Sequence, residues 1–152
     1  MSLEQNIIAD IKDAMLAKDA KRLEALRAVK AALMLEKTKG GAAAEGLSED
    51  AEMRLLQKLV KQRKESAKIY RNQNRADLAE TEEFQTSVIE NYLPKQLDAD
   101  EVRKILVSIV EQTGAQSMKD MGHVMGQANK QLAGKADNKT VAAIVKELLA
   151  RK

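Results

Sequence analysis

The sequence predicts an all-α fold, with an N-terminal helical domain of about four helices over residues 1–94 and a C-terminal three-helix bundle over residues 95–152. Three observations carry this. Just over half of the 152 residues are Ala, Glu, Lys, Leu or Arg, the compositional mark of long helices. Apolar residues recur every three or four positions along nearly the whole chain, and no stretch alternates as a strand would. A single proline, Pro94, interrupts the pattern between two helical stretches, where it removes a backbone donor and restricts the residue before it.

Each element follows from local signals. Leu3, Ile7, Ile11 and Met15 step by four along a first helix. Asp19 is placed to cap a second, which would bury Leu23, Leu26, Val29 and Leu33. Residues 39–48 carry three glycines and read as a flexible connection. Ser48 caps a long third helix whose first turn holds Glu49, Asp50 and Glu52, acids that the helix dipole favours there. Its apolar face is Leu56, Leu59, Ala67 and Tyr70, and the pattern breaks around Asn72–Asn74. A fourth helix runs through Phe84, Val88, Ile89 and Tyr92 until Pro94 stops it. Asp98 and Glu101 have the spacing of a capping box ahead of helix five, which buries Val102, Ile105, Leu106 and Ile109 and ends at Gly114. Ser117 and Asp120 start helix six, with Met118, Met121, Met125 and Leu132 on one face and Gly134 at its end. Asp137 is placed to cap helix seven, with Val141, Ile144, Val145, Leu148 and Leu149 inward.

The residue inventory excludes much chemistry. The chain has no Cys, one His (His123) and three aromatics (Tyr70, Phe84 and Tyr92). Disulfides, thiol nucleophiles and Cys- or multi-His metal sites are ruled out, and His123 has no triad partners nearby. No phosphate-binding loop, dinucleotide fingerprint or His-Glu-x-x-His motif occurs. Adjacent carboxylates such as Glu82 and Glu83 diverge on a helix. No catalytic residue, metal site or cofactor is therefore expected. No apolar run reaches the length of a membrane span, and Glu4, Asp10 and Asp13 interrupt the N-terminus where a signal peptide would be apolar. A cytoplasmic protein with no membrane partner is the expectation.

The net charge is only +3, but it is unevenly spread. Residues 58–75 hold seven basic side chains against one acid, and residues 76–91 hold five acids and no base. On a helical wheel Arg54, Lys58, Lys61, Lys64, Lys68, Arg71 and Arg75 fall in one arc of about 140°. The stripe suits phosphate contact. The favoured reading is a solvated outer face partly neutralised by the acidic fourth helix. Arg63 points to the apolar side, where it snorkels or pairs with a carboxylate of helix four. A second basic group, Lys119, Lys130, Lys135 and Lys139, surrounds two helix starts that favour anions, although a lysine-rich turn with a capping Asp reads the same way. Gly122 and Gly126, four apart in helix six, imply close approach of a helix or a ligand. The methionines beside them read as core filler.

Several segments together resemble the GatB/YqeY family, specifically its free-standing YqeY-like proteins. They are Val60-Lys61-Gln62-Arg63-Lys64-Glu65-Ser66, Tyr92-Leu93-Pro94-Lys95-Gln96-Leu97, Ser117-Met118-Lys119-Asp120-Met121-Gly122 with Val124-Met125-Gly126, and Gly134-Lys135-Ala136-Asp137. The C-terminal part is similar to the tail domain of the B subunit of the glutamine-dependent aspartyl/glutamyl-tRNA amidotransferase. The resemblance implies a family association with carbon–nitrogen ligase activity using glutamine as amido-N-donor. It carries over only the non-catalytic, tRNA-holding role of the tail, because the catalytic sites of that enzyme lie on other domains. That role would fall on Lys119, Gly122, Val124, Gly126, Gly134, Lys135, Asp137 and Lys139, with Lys130 beside them; His123 stands where the resemblance leads one to expect a Lys. The partners so implied are tRNA and amidotransferase subunits. The alternative is a protein-interaction or assembly module docking on such subunits or on another cytosolic partner.

Overall fold

The structure, a computed structural model, describes residues 2–39 and 47–151. These residues form α1 (Leu3–Leu16), α2 (Ala20–Lys39), α3 (Glu49–Asn72), α4 (Ala76–Glu90), α5 (Ala99–Thr113), α6 (Met121–Leu132) and α7 (Asn138–Ala150). A short 3-10 turn, Met118–Asp120, leads into α6. There is no strand among the described residues, and the fold is all-α. The chain divides into two compact units, Met1–Leu93 and Pro94–Lys152. Most of the glycine-bearing connection expected at 39–48 lies outside the described residues. Lys39 ends α2, and Leu47 and Ser48 lead into α3.

In the N-terminal unit the helix starts are set locally. Ser2 and Gln5 form a capping box on α1. Asp19 accepts from the Arg22 amide at 3.2 Å, and Ser48 from the Ala51 amide at 3.1 Å. Asn74 closes the α3–α4 turn with a left-handed φ of 61°, a conformation Asn tolerates better than most residues. One apolar cluster joins Ile7, Val29, Leu33, Leu56 and Ile89. A smaller one joins Ala14, Ala25, Leu26 and Val88. Each fully buried aliphatic side chain contributes about 1.5–3 kcal/mol. Polar ties hold α1 in place: Lys37 donates to Glu4, Arg22 lies 3.9 Å from Asp10, and the Tyr92 hydroxyl donates to Asp10. Burial, then the Asp10 bond, pushes the Tyr92 hydroxyl well above the ordinary tyrosine range.

Periodicity and exposure part company at several points. Met15 is 54% exposed, and the core position is filled by Ala14. Phe84 is 37% exposed, while Thr86, Val88 and Ile89 turn inward. α4 ends at Glu90, ahead of Pro94, and Tyr92 sits in a turn stitched by bonds from residues 91, 92 and 93 to the carbonyls three residues back.

The two core clusters draw on α3 only as far as Val60 and on α4 only at Val88 and Ile89. Beyond that point the helices form a two-helix arm, in which Ala67, Ala79 and Thr86 are buried. Polar pairs fasten it. Arg71 binds Glu83 through two bonds of 2.6 and 2.9 Å, and Arg75 binds Asp77 through two of 3.2 Å. Arg75 thus stands outside α3, at the start of α4. Arg63 meets an amide rather than a carboxylate: its Nε donates to Gln85 at 3.0 Å and its Nη1 to the Leu59 carbonyl at 3.2 Å.

The C-terminal unit has one continuous core. Val102, Leu106 and Ile109 from α5 meet Val124, Ala128 and Leu132 from α6 and Val141, Val145 and Leu149 from α7. Asp98 and Glu101 form the capping box of α5, with the Glu101 amide 2.8 Å from Asp98. Gly114 terminates α5 at a φ of 68°, and the Ala115 amide returns to the Val110 carbonyl at 3.3 Å, as in a Schellman cap. Ser117 and Asp120 form a second capping box, on the 3-10 turn. Asp137 precedes α7 but makes no side-chain bond to its amides, and accepts instead from the Thr140 hydroxyl at 3.4 Å. The Leu97 amide donates to the Lys135 carbonyl at 2.9 Å. Gln96 donates to the carbonyls of Pro94 and Gly134 at 2.9 and 2.6 Å, which fixes the segment around Pro94 to the α6–α7 loop. Arg103 and Arg151 bracket Glu147 at 2.7 and 2.8 Å, and the Arg103 bond holds that carboxyl below the usual carboxylate range.

Candidate nucleic-acid interface

α6 is the element on which most of the C-terminal candidate residues sit. Its inward row is Val124, Ala128 and Leu132, so Val124 serves the core. Two outward rows remain, each stepping by four. Gly122, Gly126 and Lys130 form the first, and His123, Gln127 and Gln131 the second. Side chains four apart lie one above the other on a helix, so each row is a continuous strip.

The glycines do not serve helix packing. A Cβ built on Gly122 or Gly126 meets nothing within 4 Å, and both residues are exposed. The expected close helix–helix approach is absent there. Two turns of bare backbone face open space instead, with Lys130 at the far end of the row and Lys119 in the turn before it. The second row borders a shallow groove of about 340 Å³ lined by Ile109, Gln112, Thr113, His123, Gln127 and Gln131. The groove's polar lining comes from amides, a hydroxyl and one imidazole, groups that form hydrogen bonds. Gln127 and Gln131 carry no charge or motif that marks them in the sequence. Their spacing from His123, repeating that of the glycines one position earlier, is the signal that would have found them.

The lysines do not gather at one point. α6 is about 18 Å long by helix rise; Lys119 stands in the turn before it, Lys130 in its last turn and Lys135 in the loop after it. All four candidate lysines, 119, 130, 135 and 139, are exposed. Gly134 is not: it is buried, has a left-handed φ of 73°, and gives its carbonyl to Gln96. Its part is to turn the chain. Met118 is 42% exposed, whereas Met121 and Met125 pack on the core edge, so the methionine row is only partly filler.

The N-terminal stripe also resolves in two. Arg71 and Arg75 are committed to Glu83 and Asp77, and those bonds hold both carboxyls below their ordinary range. Lys58, Lys61, Lys64 and Lys68 are exposed along α3. Among the described residues no group of three or more His, Cys, Asp or Glu is placed to hold a metal ion. No described helix is long and apolar enough to cross a membrane.

A family model described as Yqey-like protein matches residues 4–149. The chain belongs to the YqeY-like family. Its relatives include proteins named "Altered inheritance of mitochondria protein 41, mitochondrial" from three fungi. The one from Pyrenophora tritici-repentis is 28% identical over 149 residues, 95% of this chain and 79% of the relative. That from Meyerozyma guilliermondii is 34% identical over 132 residues, 79% of this chain and 67% of the relative. A third, from Lachancea thermotolerans, is 36% identical over 88 residues, 58% of this chain and 46% of the relative. Those relatives are named as mitochondrial. The YqeY-like match spans both units and gives the helical module its family.

Proposed function

We propose that this YqeY-like chain is a non-catalytic RNA-holding module that engages structured tRNA through the outer face of α6. One observation carries the reading: Gly122 and Gly126 leave the α6 backbone bare between Lys119 and Lys130, beside a row of hydrogen-bonding side chains. Bare helix admits a sugar–phosphate backbone at close range. Lysines at either end supply the counter-charge, and amides suit the 2′-hydroxyls through which folded RNA is recognised by shape. The resemblance of this part to the amidotransferase B-subunit tail points the same way. So does the family association with glutamine-dependent carbon–nitrogen ligase, in which the tail supports catalysis made elsewhere. A cytoplasmic location, without a membrane partner, belongs to the same proposal.

The test is binding of tRNA to the full chain at several salt concentrations. Each phosphate contact contributes about 0.7–0.9 to the log–log salt slope. Gly126→Leu adds bulk where a Cβ meets nothing within 4 Å, so it should leave the fold intact and weaken tRNA binding at least tenfold. Unchanged binding by this variant, or wild-type binding no tighter than to arbitrary duplex DNA, overturns the proposal.

A second reading has one observation in its favour. Met118 and Val107 are exposed on this unit, and apolar surface of that kind is used by protein partners such as amidotransferase subunits. Charge reversal at Lys119, Lys135 and Lys139 separates the two readings, since it removes RNA binding and spares an apolar contact.

A further inference from the structure

The acidic fourth helix neutralises the α3 stripe only in part, at the tip of the arm. Arg71 and Arg75, at the tip of the arm, take up Glu83 and Asp77 in two-bond pairs. Arg54, Lys58, Lys64 and Lys68 lie nearer the base and are exposed, and among the described residues none of the four has a carboxylate at ion-pair distance. Between Arg54 and Lys68 the one acid is Glu65, and Asp50 precedes the row by one turn. The helix is continuous from Glu49 to Asn72, so Arg54 and Lys68 stand about 21 Å apart along a straight rod.

The geometry narrows the class of anion. The opposite face of α3 is used up by Leu55, Leu56, Leu59 and Val60 in the core, and Ile69 is its one largely exposed apolar side chain, too little to sink the helix into a lipid surface. No aromatic stands in the row, so unpaired bases have nothing to stack on. A rigid line of flexible, singly charged ammonium groups matches a regular line of phosphates and carries no device for reading base edges.

We infer that the outer face of α3 is a second RNA surface, which grips the phosphates of a double-helical segment without reading its sequence. The inference rests on the reading that the chain holds structured RNA, but it concerns the other unit and different residues.

Its test uses the full chain with a short blunt-ended RNA duplex and with tRNA. K58E/K64E/K68E removes three contacts, and the log–log salt slope for either RNA should fall by about 2 to 3. K58Q/K64Q/K68Q should give most of the same loss, and helical content by circular dichroism should be unchanged in both variants. An unchanged slope overturns the inference. So does equal affinity, with equal loss, for a DNA duplex of the same sequence, or loss of binding to anionic lipid vesicles while RNA binding persists. Failure of the α6 reading looks different. If Gly126→Leu binds tRNA normally and the α3 variants do not, the α3 surface stands and the α6 face falls; the reverse pattern sinks the α3 surface alone.

Discussion

The two units solve the same problem differently. The C-terminal one gathers the buried residues of three helices into a single core that runs the length of the bundle. The N-terminal one concentrates its apolar residues in two clusters, and carries beyond them an arm fastened by arginine–carboxylate and arginine–amide bonds. Apolar burial is non-directional and is not screened by salt, whereas exposed ion pairs are worth little and are screened. A continuous core therefore yields a unit that stands or falls as a whole. A zipped arm yields one that opens locally from its tip, as segments with few buried contacts do.

The largest expected effect sharpens this contrast. Leu106 is fully buried at the centre of the C-terminal core, and Leu106→Ala should cost that unit about 2–5 kcal/mol in denaturant unfolding. Ile69, 55% exposed on the arm, should tolerate Ala within about 0.5 kcal/mol. Comparable losses at the two sites would erase the distinction. Next comes Asp98→Ala, which removes the bond that the Asp98 side chain accepts from the Glu101 amide and should cost about 1 kcal/mol in the same measurement.

A gain is expected in the same unit. Gly126→Ala replaces a helix-interior glycine that faces open space, and should stabilise by about 0.5–1 kcal/mol. Gly114→Ala should lose stability instead, because its φ of 68° is strained for any residue with a Cβ. Opposite signs for two glycines of one bundle would show that the bare strip on α6 is not a structural requirement.

The smallest effect concerns acid. Arg71 holds Glu83, and Arg75 holds Asp77, below their ordinary values. A carboxyl depressed in the folded state adds stability above its unfolded value and loses it as the pH falls through the folded one. Amide protection factors in residues 63–85, taken relative to the intrinsic exchange rate at each pH, should therefore fall below the ordinary carboxylate range, with those of the α5 core amides unaffected. These pairs are fully exposed, so the shift in overall unfolding should be slight.

What was legible in the sequence follows the range of the forces. The start signals at Asp19, Ser48, Asp98 and Ser117 act over three residues, and each was readable from the chain. Gly114 and the break at Asn74 were equally local. Periodicity placed residues on a helix face but could not say whether the face is covered, which is why Met15, Phe84 and Met118 emerge into solvent. Arg63 was placed on the inner side correctly, but its partner is Gln85, 22 positions away, which no local pattern reports. The α6 face is half visible: the glycines and lysines stand out in the sequence, and the parallel row of His123, Gln127 and Gln131 does not, because side-chain amides carry no signal until a groove forms beside them.

The hydrogen bond from Tyr92 to Asp10 joins positions 82 apart and lashes the end of the N-terminal unit back onto its first helix. During synthesis, at about 5–20 residues per second, Asp10 waits roughly 4–16 s before its partner exists. α1 can form early, but its final lashing must come late. A chain arrested before Tyr92 would carry every residue of the four helices and still lack the clasp that shuts them, so the nascent N-terminal unit should stay protease-sensitive until that tyrosine leaves the ribosome.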